Sequence, residues 1–289
     1  MGFAGHMQAA AERNNSLLCV GLDPDMSRFP EHLRALSPKQ ALIEFCTAIV
    51  DATSDLVAAY KPNLGFFVAY GIPGLEALVE IRKRIPASIP VILDAKIGDM
   101  ATTTAAYARG YFDEWGFDAV TVNPYQGEDS LTPFFNYAGK GVIVLCKTSN
   151  AGGAELQDQL IGHDPREAVY LKMADRIQSW SERYPATIGL VAGATYPSHL
   201  AEIRRRCPEL PILLPGIGAQ AGDLEGSVRA GLDVHGGALL ASASRSILYA
   251  GAGVDFATKS RAEAERLRNQ INAIRVDSIG RFPSVGRDS

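Results

Sequence analysis

Short apolar runs alternate along the chain with longer amphipathic ones. Eight of the short runs predict strands: LLCVGLD (17–23), AAYKPNLGFF (58–67), VILDAK (91–96), AVTVNPY (119–125), GVIVLCK (141–147), IGLVAGA (188–194), PILLPGI (211–217) and GALLASAS (237–244). Most are apolar throughout rather than alternating, the pattern of parallel strands covered on both faces. The longer runs predict helices with recognisable ends. SPKQALIEFCTAIVDATSDL opens with Ser37 as N-cap and Pro38 at the first helical position, and DPREAVYLKMADRIQSWSERY repeats the signal with Asp164 and Pro165. TTTAAYARGYFDEW is followed by Gly116 as C-cap, and SHLAEIRRRC starts at a capping Ser198.

Eight strands, each followed by a helix or long loop, predict an α/β fold of the (β/α)8 TIM-barrel type, which takes ~250 residues. The expected layout is one domain over 1–289. Its barrel spans about 17–274, after an N-terminal helical extension and before a loosely packed tail, SIGRFPSVGRDS. A doubly wound sheet is the alternative. That fold often carries a Gly-rich first turn, whereas the first strand here ends in GLDPDMSRF. No linker, low-complexity block or short repeat interrupts the pattern.

Composition narrows the function. With 289 residues, 47% of them hydrophobic, the chain can bury a large core. A net charge of -4 gives no support for nucleic-acid binding, which usually leaves a basic excess. No apolar run is long enough to span a bilayer. MGFAGHMQAAAERNN lacks the cationic start and apolar block of a signal peptide, and MGFAGH lacks the Ser or Thr of a myristoylation site. The four cysteines are scattered without metal-ligand spacing, which fits buried free thiols in a reducing cytoplasm. His163, His199 and His235 read as ordinary surface or packing residues.

The candidate chemistry sits at the strand ends, where barrel enzymes place their functional groups. Those ends supply Asp23, Lys61, Asp94, Lys96 and the nearby Asp99, then Asn123, KTSN (147–150), Thr195, PGIGAQ (215–220) and SASRS (242–246). Side chains alternate along a strand, so Asp94 and Lys96 share a face. If that face is the barrel interior, the charges are partly desolvated and each must be paired. Lys61 can reach the same place, and two lysines with two aspartates make a nearly neutral network. A bland alternative is a buried ion-pair network that only sets strand register. The last two strand ends suggest an anion site. PGIGAQAGD is a Gly-rich turn whose backbone N–H groups can face a phosphate, and Arg245 can donate two hydrogen bonds to one. Pro215 and Ser244 flank that site and are counted with the substrate-contacting residues.

At this point the motifs resemble a known family. DAKIGDMATT is similar to the Asp-x-Lys-x-x-Asp signature of the orotidine 5'-phosphate decarboxylases, especially the bacterial group with DAKxGD. VGLDPD, KPNLGFFVAYG, VTVNPYQGEDSL, LCKTSNAGG, PGIGAQ and ASRSI resemble other segments of that group, in the same order, from about residue 17 to 250. The resemblance implies a cofactor-free, metal-free carboxy-lyase converting orotidine 5'-phosphate to UMP and CO2. It further implies that Lys61, Asp94, Lys96 and Asp99 form the family's charged array. Lys96 would protonate C6, Asp94 would lie near the substrate carboxylate, and Asp23 and Lys61 would contact the ribose. Ser149 would bind the pyrimidine, Gln220 would bridge base and phosphate, and Arg245 would hold the phosphate. Asp99 and Thr103 would reach the neighbouring subunit's site in a homodimer, and Asn123 matches a motif position. Met100 stands where isoleucine is commoner, and Ala221 where glycine is often found. Two rivals remain: an Mg-dependent sugar-phosphate decarboxylase or aldolase, and a non-catalytic barrel that binds a phosphorylated ligand.

Overall fold

The computed structural model describes residues 2–163, 167–217 and 223–279. Eight parallel strands form one sheet: β1 (Leu18–Leu22), β2 (Ala59–Pro62), β3 (Ile92–Ile97), β4 (Ala119–Val122), β5 (Gly141–Lys147), β6 (Thr187–Ala192), β7 (Ile212–Pro215) and β8 (Leu239–Ala243). Their spatial order is β2-β1-β8-β7-β6-β5-β4-β3. Parallel bridges Tyr60–Val91 and Asn63–Asp94 join β2 to β3 and close the ring. The result is the expected (β/α)8 barrel, with helices between successive strands.

Two apolar layers hold it. Outward-facing strand residues such as Val20, Leu93, Val142 and Leu214 are buried under the helices. The barrel interior is filled by a smaller cluster, including Cys19, Ala59, Ile92, Ile143, Leu213 and Leu240. A helix ahead of β1, Phe3–Arg13, seats Phe3 and Met7 in that interior cluster. It therefore plugs the N-terminal end of the barrel and leaves the C-terminal end as the mouth.

Several element ends differ from the sequence reading. AAYKPNLGFF is not one strand: β2 stops at Pro62, and the Asn63 side chain accepts from Gly65 N to start a helix at Leu64. The side-chain cap expected of Ser37 is absent, its hydroxyl donating instead to Gln40 Oε1, although Pro38 does open the helix Pro38–Thr53. The helix after β5 begins at Val169 with Ala168 before it, so the Asp164–Pro165 signal does not start it; those two residues lie outside the described ones. The helix Pro197–Arg206 opens on Pro197 with Tyr196 as N-cap, not on Ser198. Gly116, with φ +71°, does end the helical run from Ala101, whose last turn is a π-turn over Gly110–Glu114. All four cysteines are free and buried. Among the described residues no helix is long and apolar enough to cross a membrane. The tail from 280 onward lies outside the described residues.

Candidate active site

The mouth of the barrel holds a charged centre built on β2, β3 and β4. Asp94 is buried, and both its carboxylate oxygens are used. Oδ2 accepts from Lys61 Nζ at 2.8 Å, while Oδ1 accepts from Lys96 Nζ at 2.5 Å and from Thr121 Oγ1 at 3.0 Å. Asn63 Nδ2 lies 3.5 Å from Oδ2. Burial favours a neutral Asp94 carboxyl, but the two lysines outweigh it and hold its pKa well below the carboxylate range. Burial likewise opposes the Lys61 ammonium, yet Asp94 and Asp23 outweigh it and hold its pKa above that of an ordinary lysine. The pair therefore stays charged.

Alternation along β3 does not by itself account for this geometry. Residues two apart on a strand are separated by ~6.6 Å. The β3–β4 register runs from Leu93–Val120 to Ile97–Val122, four residues of β3 against two of β4. Lys96 absorbs this bulge with φ +49°, a left-handed backbone uncommon for a side chain of its kind. Thr121 fastens the strained residue: its Oγ1 accepts from Lys96 N at 2.9 Å while donating to Asp94. Lys96 is also less desolvated than expected, its side chain being 47% exposed against 6% for Lys61. It stands at the rim, where β3 leaves the barrel wall.

Beside this centre lies a cavity of about 260 Å³ lined by Asp23, Lys61, Asp94, Ser149, Pro215, Gly216, Ser242, Ser244 and Arg245, among others. The ends of β1, β2, β3, β5, β7 and β8 thus converge as expected. Ser244 Oγ donates to Asp23 Oδ2 at 2.6 Å, and Asp23 Oδ1 is buried without a partner. An orphaned carboxylate oxygen of this kind is a ready acceptor for a ligand hydroxyl. Arg245 is exposed and joins the cavity wall immediately after β8. A larger hollow of about 370 Å³ lies at the plugged end and shares none of these residues; Met7, Glu12, Asp233 and Arg275 are among its walls.

Besides Lys96 at the rim, three expected residues stand apart from the cavity. Asp99 is half-buried beyond β3, with its carboxylate accepting from Met100 N at 2.7 Å and no ion pair among the described residues. The array within one chain is therefore Lys61–Asp94–Lys96. Thr103 is exposed on the helix Ala101–Arg109. Asn123 uses its side-chain oxygen to accept from Tyr125 N at 3.0 Å, closing its own turn. Gln220 lies outside the described residues. Thr121 and Asn63 were not singled out from sequence, and Ser242 was read only as part of SASRS. They are polar residues in or just after apolar strands, a faint signal that gains meaning because Thr121 and Ser242 are buried and Asn63 lies against Asp94.

A parallel barrel with a Lys–Asp–Lys centre at its mouth, next to an arginine-edged polar cavity, defines an enzyme class that acts on small phosphorylated molecules. Known proteins narrow the class. Residues 16–260 match the sequence model of the orotidine 5'-phosphate decarboxylase / HUMPS family, and the chain belongs to that family. It is 50% identical over 280 residues to an orotidine 5'-phosphate decarboxylase of Thermomicrobium roseum, covering 97% of this chain and 98% of that one. It is 47% identical to the Azoarcus enzyme of the same name, covering 95% and 100%. Among solved structures, a putative orotidine-monophosphate decarboxylase from Toxoplasma gondii aligns with TM-score 0.89 and 36% identity over 98% of this chain and 99% of that one. The Leishmania donovani OMP decarboxylase aligns with TM-score 0.82 and 40% identity, covering 96% and 99%.

Proposed function

We infer that this chain decarboxylates orotidine 5'-phosphate to UMP and CO2 in de novo pyrimidine biosynthesis. The observation that carries the reading is the Asp94 carboxylate, buried and held ionised between Lys61 and Lys96 at the edge of a polar cavity. In the reaction the bond between C6 and the carboxylate carbon breaks, CO2 leaves, and the electron pair stays on C6. That carbanion has little resonance help, so it needs fixed positive charge nearby. Lys96 supplies the charge and then its proton, and C6 of UMP takes the hydrogen. Charge that is already in place costs no reorganisation during the step. Lys96 faces solvent enough to regain its proton afterwards.

The rest of the cavity fits the remaining parts of the substrate. Asp23, with its unpartnered oxygen, and Lys61 suit the ribose hydroxyls, and Ser149 the pyrimidine. Arg245, flanked by Pro215 and Ser244, suits the phosphate. A metal-dependent aldolase or decarboxylase reading is less well supported, because both oxygens of Asp94 are committed to lysine and threonine donors. A homodimer with shared sites is supported by the surroundings of Asp99 and Thr103. Met100 is 71% and Tyr125 81% exposed, and Phe66, Val68 and Ile72 are exposed apolar residues on the helices Leu64–Val68 and Gly71–Arg84 that follow β2. Four unpaired buried thiols suit a cytoplasmic setting. The test is to follow the ultraviolet absorbance of orotidine 5'-phosphate with purified protein. Stoichiometric conversion to UMP is expected; an unchanged spectrum would reject the reading.

A further inference from the structure

The turn that carries Ser149 is held from outside the cavity. Lys147, at the end of β5, is turned away from the barrel interior by a register shift between Leu145 and Lys147. Its side chain is only 4% exposed, and its ammonium donates to Asp158 Oδ1 while lying 5.4 Å from the Tyr170 ring centroid. The next residue is gripped twice by one amide: Thr148 N donates to Gln157 Oε1 at 2.9 Å, and Gln157 Nε2 donates to Thr148 Oγ1 at 2.8 Å. Ser149 itself packs against the backbone just after β6, where a Cβ on Gly193 would come within 2.8 Å of Ser149 N and Cβ. Thr195 Oγ1 lies 3.4 Å from Ser149 O. No side-chain hydrogen bond of Ser149 occupies its hydroxyl among the described residues.

We propose that Lys147, Gln157 and Asp158 form a clasp that presents the Ser149 hydroxyl to the substrate's base. None of the three lines the cavity, and their side-chain contacts described above are with one another, Thr148 and Tyr170, so they act through Ser149 as positioning residues. The physical case is one of leverage. The segment between Thr148 and Asp158 is a long excursion with only short helical turns, Ala151–Gly153 and Ala154–Gln157. Such a loop holds no side chain still unless its ends are tied. Here the ties are a half-buried ion pair and a two-point amide bond at consecutive residues, 147 and 148, immediately before the serine. A shift of ~1 Å at a reacting or binding group costs up to ~10²-fold, so a partial loosening of this turn should cost roughly tenfold.

The inference rests on the reading that Ser149 contacts the pyrimidine, and two probes separate the two claims. UMP carries the base, whereas ribose 5-phosphate does not. The Gln157→Leu/Asp158→Asn variant is expected to bind UMP about tenfold more weakly, with ribose 5-phosphate affinity unchanged. Adding Ser149→Ala to it should cost nothing beyond Ser149→Ala alone. Lys147→Arg, which keeps the ion pair, should stay close to wild type, while Lys147→Met should follow the clasp variant. Equal weakening of both ligands would mark a general structural defect and overturn the proposal. So would additive losses with Ser149→Ala, or normal UMP binding by the clasp variant when Ser149→Ala weakens it. If Ser149→Ala leaves UMP affinity untouched, the assignment of Ser149 falls, and the clasp falls with it.

Discussion

Thr121→Val tests how Lys96, the proposed proton donor, is held. Thr121 is 1% exposed, and valine has nearly its shape, so the substitution leaves no cavity. What it removes is one hydroxyl with two jobs. The bond to the ionised Asp94 is charge-assisted and contributes ~1.5–3 kcal/mol. Lys96 N loses its acceptor as well, which costs ~1 kcal/mol because water at the rim can partly replace it. The sum is about 3 kcal/mol, or roughly 6–10 °C in Tm for a chain of this size. Asp94 keeps Lys61 and stays ionised, so the fold survives. Lys96, in a left-handed backbone without its anchor, moves away from C6. If half of the lost energy had served to hold Lys96 in place, kcat falls by ~10-fold. Thr121→Ser keeps the hydroxyl and loses a methyl group, so it should show a modest drop in Tm with kcat within about threefold of wild type. Steady-state kinetics on both variants, with thermal melts, decide the matter. A Thr121→Val enzyme with wild-type kcat would refute the claim that this hydroxyl positions Lys96.

Arg245→Ala should lower kcat/KM by at least ~30-fold although Arg245 touches no reacting atom, since binding energy from a remote phosphate is used at the reacting end; an unchanged value would count against the phosphate assignment. Mixing Lys96→Ala and Asp99→Ala subunits, each inactive alone, should restore about one quarter of wild-type activity, because about half the dimers are mixed and each has one intact site; no recovery would argue against shared sites. The buried pair also fixes a pH signature. The folded pKa of Asp94 is depressed, so its contribution is complete above ~4 and is lost as pH falls through the folded value. The folded pKa of Lys61 is raised, so its contribution is complete below ~10.4 and is lost as pH rises through the folded value. The stability difference between wild type and the Lys61→Met/Asp94→Asn double variant should therefore be flat from about pH 5 to 9 and shrink outside that window; a slope inside it in denaturant titrations would contradict the electrostatic reading.

Strand order, barrel closure and the converging ends of most strands were legible in the sequence, because continuous apolar runs mark doubly covered strands and polar residues marked their mouths. Two things were less visible. Helix starts were misplaced at Asp164 and Ser198, where local capping signals gave way to tertiary packing and to Pro197, whereas Ser37 holds the N-cap position without the side-chain bond expected of it. The meeting of Asp94 with Lys96 was expected for an incomplete reason: period-two alternation puts them on one face, but the contact depends on a bulge and a left-handed Lys96 that alternation does not encode. Thr121 escaped notice for the same cause, since a threonine inside AVTVNPY looks like any β-branched strand residue until its partner is known. Asn123 has the opposite history: prominent in its motif, it closes its own turn within the chain.

The central claim is that the Lys96 ammonium delivers the proton that replaces CO2. The most direct measurement is turnover of orotidine 5'-phosphate by Lys96→Ala, in parallel with its melting curve and its affinity for UMP. The account predicts a folded protein that binds UMP yet shows no measurable decarboxylation at enzyme concentrations where wild type completes the reaction. Appreciable formation of UMP by that variant would contradict it.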